Sequence, residues 1–219
     1  MNKFDKIYLS WRVSKGYPRI IIGEILPVGE DVDFKYIKDG LNQAKKYDFV
    51  GYPGLKIDEL EHKNTLNLFS KRLINTDRSD SGELLEFWDI KPEYKDNKLY
   101  VLAMTQGMTP TDNFEFLANF KLEQELEFIT DIAGLTYSKF DLCRIKKGTE
   151  FTFEKENLKQ DEYAVKVLFN KESVGYIKKG HNMVFHEKES NRLKLEVTHI
   201  SKENNQIFVR VYLSDMSLG

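Results

Sequence analysis

The chain opens on two strand-like stretches, the first with apolar side chains at every second position. Over residues 6–13, Ile7, Leu9 and Trp11 share one side and Tyr8 takes the other. Residues 19–26 form the partner stretch, with the apolar cluster Ile20-Ile21-Ile22 at its centre, and Ser14-Lys15-Gly16-Tyr17-Pro18 between the two is turn chemistry. This predicts an antiparallel hairpin. Asp33-Phe34-Lys35-Tyr36 predicts a third strand, followed by a helix over 37–47 and a loop over 49–55. The period then lengthens. Leu66, Phe69, Leu73 and Ile74 fall at helical spacing after a cap at Asn64 or Thr65. Residues 78–89, with Asp80 or Ser81 as cap, predict a second helix, and Leu99 to Met104 a third that Gly107 stops. Thr109-Pro110-Thr111-Asp112 is a turn, and Asn113 to Leu117 a strand.

From Leu122 onward the period returns to two. Leu122, Gln124, Leu126 and Phe128 alternate with Glu123, Glu125 and Glu127. Further strands are predicted over 151–153, 163–169, 173–177, 193–200 and 206–213, with one helix after Ile177. Many short strands at close spacing predict a small barrel. The change of period near Phe120 divides the chain into an α+β module over 1–120, a small sheet with helices, and a β-barrel module over 121–219. No Gly/Ser-rich linker separates them.

Length and charge narrow the picture. At 219 residues a chain buries about 70% of the surface it exposes unfolded, enough to fold without disulfide or metal. The lone Cys143 forms no internal bridge and points to a reducing, cytoplasmic setting. The charged opening around Lys3, Asp5 and Lys6 is unlike a secretory leader, and no apolar run suits a membrane span. The formal net charge is -2, which argues against a dedicated, sequence-blind duplex binder, since such binding comes from neutralising phosphates. A small pocket for a strand end is compatible with it.

Familiar catalytic signatures are absent. The sequence holds no phosphate loop, no G-x-G-x-x-G, no H-E-x-x-H and no G-x-S-x-G. One Cys and four scattered His do not give zinc spacing. The expectation is a non-catalytic protein with no cofactor.

The most informative stretch is Asp161-Glu162-Tyr163-Ala164-Val165-Lys166-Val167, followed by Ser173-Val174-Gly175-Tyr176-Ile177-Lys178-Lys179, with Gly134-Leu135-Thr136-Tyr137 upstream. Together they resemble the HIRAN domain, which shows an acid before an Ala-Val strand, a Val-Gly-Tyr/His-Ile-Lys strand, and an opening Gly-Leu-x-Tyr. The resemblance spans about residues 128–213 and implies an OB-like barrel that takes the 3′ end of single-stranded DNA. It would make Tyr137 a stacking platform, Asp161 the acceptor for the terminal hydroxyl, and Lys178 or Lys179 the phosphate contact. The chain departs from the family at Asn157-Leu158-Lys159-Gln160, where an Asn-Pro-aromatic turn is usual, so Gln160 replaces one aromatic. Each residue also has a plainer role. Tyr137 suits a half-buried strand position, Asp161 a turn-stabilising bond to a backbone amide, and Lys178-Lys179 a solvated helix start.

The first module is similar to the N-terminal accessory region of HipA-type toxin kinases. The shared features are Ile22-Gly23-Glu24-Ile25, Phe34-Lys35-Tyr36, Leu68-Phe69-Ser70-Lys71-Arg72-Leu73 and Leu102-Ala103-Met104-Thr105-Gln106-Gly107. No kinase lobe follows, so the resemblance implies a surface for a protein partner. The expected function is nucleic-acid binding in genome maintenance or defence; the alternative is a protein-interaction or antitoxin-like module.

Overall fold

The structure, a computed structural model, describes residues 3–14, 16–73, 81–109 and 111–214. Several sequence expectations fall outside them: the turn residue Lys15, helical continuation through Ile74, the Arg78 helix start with its Asp80 cap, and Pro110. The chain forms two compact units, Met1–Asn119 and Phe120–Gly219. Both are built on antiparallel pairing with few helices, which makes the protein α+β.

Unit 1 contains β1 (Phe4–Trp11), β2 (Ile20–Val28), β3 (Asp31–Tyr36), α1 (Lys38–Lys45), β4 (Glu61–His62), α2 (Leu66–Ser70), α3 (Ser81–Phe87), a 3-10 turn at Pro92–Tyr94, α4 (Lys98–Thr105) and β5 (Phe114–Phe120). The sheet order is β4-β3-β2-β1-β5. The alternation of the first strand has the expected effect: Ile7 and Leu9 are fully buried, and β1 pairs with β2 through Ile7↔Ile25 and Leu9↔Gly23. Helix α1 lies close on β2 because Gly40 has no side chain; a Cβ there would collide with the backbone carbonyl of Ile21. Helix α4 begins at Asn97, whose side chain accepts from Tyr100 N–H at 3.0 Å. It ends at Gln106, which is itself left-handed (φ 58°) ahead of Gly107, so the stop lies one residue before the expected glycine.

Aromatic rings fill the core of unit 1. Phe69 meets Phe34, Tyr52 and Phe116 edge-on at 5.3–5.8 Å. The Tyr36 hydroxyl donates to Leu55 O and accepts from Tyr52 N–H, both at 3.0 Å, which anchors the loop between α1 and β4. Arg72 caps this cluster. Its guanidinium makes a two-pronged bond to Asp112 (2.6 and 2.8 Å), donates to Gly107 O at 2.8 Å and lies 5.3 Å from the Phe116 ring centre. Of the residues that helical spacing picked out here, Phe69 is buried in the core while Leu66 and Leu73 are half-buried, and α2 itself is a short turn.

Unit 2 contains β6 (Glu127–Asp131), α5 (Leu135–Ser138), a 3-10 turn at Leu142–Arg144, β7 (Glu150–Leu158), β8 (Asp161–Phe169), β9 (Glu172–Tyr176), 3-10 turns at Met183–His186 and Ser190–Arg192, β10 (Leu193–Ser201) and β11 (Gln206–Leu213). The order is β6-β11-β10-β7-β8-β9. Asn170 and Lys171 both take positive φ (51° and 67°), the geometry a two-residue hairpin between β8 and β9 needs. The expected strand from Leu122 starts only at Glu127. The chain first turns back on itself, through Glu123 N–H to Lys121 O and Leu126 N–H to Glu123 O, so that Phe120 stacks on Phe128 at 4.0 Å. The helix expected after Ile177 is instead a turn followed by the Met183–His186 3-10 turn. Gly180 takes a φ of 106° and its N–H is capped by Asn182 at 2.9 Å.

The two edge strands of this sheet meet. Ala133, just past β6, and Tyr176, at the end of β9, exchange two backbone hydrogen bonds of 2.8 Å. Gly175 permits the approach, since a Cβ there would collide with Ala133 O and fall 2.6 Å from Ile132 Cγ2.

Candidate functional site

The sequence-predicted residues are distributed about this seam. Asp131 lies two residues before Ala133 and Lys178 two after Tyr176, so antiparallel geometry sets them opposite each other. Their side chains form an ion pair, with Lys178 0% and Asp131 5% exposed. Lys178 therefore belongs to the interior. Its ammonium faces a carboxylate across the seam, and it is neither a solvated helix start nor placed to meet a phosphate.

Lys179 points outward, and its Nζ donates to Gln160 O at 3.3 Å. It thereby reaches the β7–β8 turn, where Asp161 opens β8. Asp161 Oδ1 accepts from Tyr163 N–H at 3.2 Å, and Oδ2 accepts from Asn182 Nδ2 at 3.0 Å. The plain turn-stabilising role is thus present. Two bonds still leave acceptor capacity on a carboxylate, which offers about four lone-pair sites. Tyr137 sits on the single-turn helix α5 with 78% exposure, not in a strand. Helix α5 is tied to β9 by Ser138 Oγ, which donates to Val174 O at 2.7 Å. Gly134, left-handed at φ 80°, starts it.

Two residues were not anticipated. Tyr163, read from the sequence as an ordinary strand position, is 40% exposed. Asp161 pairs with Leu158 and Ala164 with Glu156, so β8 carries one extra residue between them and Tyr163 lies in this bulge. The buried part of β8 begins only after the bulge, at Ala164 and Val165, so Asp161 and Tyr163 precede the core. His186 packs edge-on to the Tyr163 ring at 5.4 Å, and its Nε2 bonds Tyr163 O at 3.0 Å. The sequence signal was slight: Tyr163 follows directly on the polar run Lys159-Gln160-Asp161-Glu162.

No comparison with known proteins identifies the chain: no family model, no curated protein and no solved structure matches it.

Beside the seam, Glu156 accepts from Lys166 Nζ at 2.7 Å and from Tyr176 OH at 2.9 Å. The Lys166 hydrogen bond, with help from Tyr176, holds the Glu156 carboxyl below its ordinary range, while burial and Glu156 push the Tyr176 phenol up. Among the described residues no three His, Cys, Asp or Glu side chains gather as a metal site. No described helix is long and apolar enough to cross a membrane. The buried His181 bonds Thr130 Oγ1 at 2.9 Å and packs on Phe120 and Phe128.

Proposed function

We propose that unit 2 is a HIRAN-like module whose six strands form an OB-like barrel, and that it holds the 3′ end of a single nucleic-acid strand without catalysing a reaction on it. The observation that carries this reading is a chain of neighbouring groups. Exposed Tyr137 rides on α5, whose base is bridged at Ala133 to Tyr176; three residues on, Lys179 bonds the carbonyl of Gln160, next to Asp161. The aromatic ring thus lies to one side of the Ala133–Tyr176 bridge, where α5 is tied to Val174, and the ammonium group and the acid to the other. The same seam, joining both edge strands, supports the barrel.

In this reading the terminal bases stack on Tyr137 and Tyr163, each worth about 1–3 kcal/mol. Tyr163 supplies the aromatic that Gln160 lacks. The Asp161 carboxylate accepts the terminal hydroxyl and Lys179 meets the phosphate. Because the chain carries a net charge of -2, affinity comes from stacking and the hydroxyl rather than from bulk charge. Titration with oligonucleotides bearing a free or a phosphorylated 3′ end tests this. The free end is expected to bind at least tenfold tighter, with the preference lost in Asp161→Ala and overall affinity lowered in Tyr137→Ala. Equal binding of both ends, unchanged by Asp161→Ala, rejects the assignment.

Unit 1, similar in its motifs to the HipA N-terminal region, acts in this proposal as the surface for a protein partner of a cytoplasmic genome-maintenance or defence system. An exposed aromatic pair favours that role: Tyr17 (50% exposed) meets Tyr47 edge-on at 6.1 Å. If the protein serves only protein interaction, Tyr17→Ala with Tyr47→Ala abolishes recovery of its partner, and no oligonucleotide binds unit 2.

A further inference from the structure

The far end of the unit 2 sheet carries a second feature. The ends of β8 and β10 and the starts of β7, β9 and β11 lie there, opposite the end that bears Asp161 and Lys179. Three loops meet at this end. Arg144, which follows α5, pairs with Glu172 at the start of β9 and lies 5.3 Å from the Phe140 ring centre. Lys202, in the β10–β11 turn, reaches Cys143 Sγ at 3.6 Å. Gly148 N–H bonds Val197 O at 2.8 Å, which brings Lys146 and Lys147 beside β10.

The result is a surface on which Lys139, Arg144, Lys146, Lys147, Lys171 and Lys202 are all exposed. The exposed acids of the same loops and strand starts are Asp141, Glu150, Glu172 and Glu203. Glu172 and Arg144 neutralise each other, which leaves five lysines against the carboxylates of Asp141, Glu150 and Glu203. In a chain of net charge -2, this end is locally basic. Tyr137, at the C-terminal part of α5, lies just before Lys139 in the chain, between the two ends.

We infer that this basic end is a track for the phosphodiester backbone, which receives the strand after its terminal nucleotides leave Tyr137. The inference rests on the strand-end reading above. The nine residues of β8 span about 26 Å at a rise of ~3.3 Å per residue. That separates the strand-end residues from the track by several nucleotides, within the range of about 4–16 nucleotides that a single OB-type module covers. The ligand class is a single strand longer than the end pocket needs, DNA or RNA.

The test uses the full chain, with DNA and RNA oligonucleotides of about 4 and about 12 nucleotides, each with free and phosphorylated 3′ ends. Wild type is expected to bind the longer strand more tightly. In Lys146→Glu with Lys147→Glu, the advantage of the longer strand should fall at least tenfold. The slope of log affinity against log salt should fall by roughly 1.4, about 0.7 for each single-strand phosphate that the variant no longer neutralises. The short strand and its end preference should be unchanged, and Lys146→Arg with Lys147→Arg should bind like wild type. If the Glu variant keeps the full length advantage, the track is wrong. If length dependence is lost in the variant while wild type ignores the 3′ end, the track stands and the end pocket fails. Binding to anionic vesicles with none to either oligonucleotide overturns both.

Discussion

The buried pair at the seam gives the sharpest test of the fold. In Asp131→Ala the Lys178 ammonium is left in the interior with its carboxylate removed, too enclosed for solvent to take over. Both side chains are almost wholly buried, at 0% and 5% exposure. Removing one partner of such a pair costs about 3–5 kcal/mol, whereas exchanging both for apolar groups of similar volume is roughly neutral. In a unit the size of Phe120–Gly219, each kcal/mol moves Tm by about 4–8 °C. The single variant should therefore lower Tm by roughly 12 °C or more. Asp131→Leu with Lys178→Met should restore most of it. Urea and thermal unfolding of the full chain, followed by far-ultraviolet circular dichroism, measure both. Hydrogen exchange at the Ala133 and Tyr176 amides localises the effect to the seam. A loss below about 1 kcal/mol in the single variant, or a double variant as unstable as the single, would refute a desolvated pair.

Three further outcomes follow from the packing. Arg72→Ala should destabilise unit 1 by about 3 kcal/mol, because it strips the buried interactions with Gly107 O and the Phe116 ring as well as with Asp112; Arg72→Lys should recover only part, measured by the fluorescence of Trp11 and Trp88, both in unit 1, during urea unfolding. Burial alone would raise the Asp112 carboxyl, but the Arg72 hydrogen bond and the Phe114 amide hold it below its ordinary 3.8. Its contribution is thus fully present above about pH 4 and is lost as pH falls through the lowered value, so Asp112→Asn should flatten the acid limb of a stability–pH curve. Gly175→Ala should cost about 1–3 kcal/mol through overpacking against Ala133 O, with faster exchange at the Ala133 amide.

Much of the fold was legible because burial imposes its period on the sequence. The alternation of Ile7 and Leu9, the Gln206–Leu213 strand and the buried α4 were all readable in this way. Leu122 to Leu126 misled because alternation reports which side chains are apolar, not whether the backbone is extended; a turn places Leu126 in the core equally well. Asp161 was readable as a turn residue, whereas the reach of Lys179 to the Gln160 carbonyl was not, because a helix was expected to start there. Nor was Lys178, because an ammonium is normally solvated and its burial depends on Asp131, 47 positions earlier. Tyr163 escaped notice for the converse reason. An aromatic beside an Ala-Val run reads as core, and only the position where β8 outruns the core leaves it exposed.

The seam between residues 131–133 and 176–178 also bears on self-association. An open strand border offers unpaired amides and carbonyls on which a second chain can template. Ala133 and Tyr176 satisfy each other there instead, and the buried Lys178–Asp131 pair ties the same two segments together from the inside. Undoing the seam exposes two sticky borders at once, so seam variants should become concentration-dependent aggregators before they unfold outright.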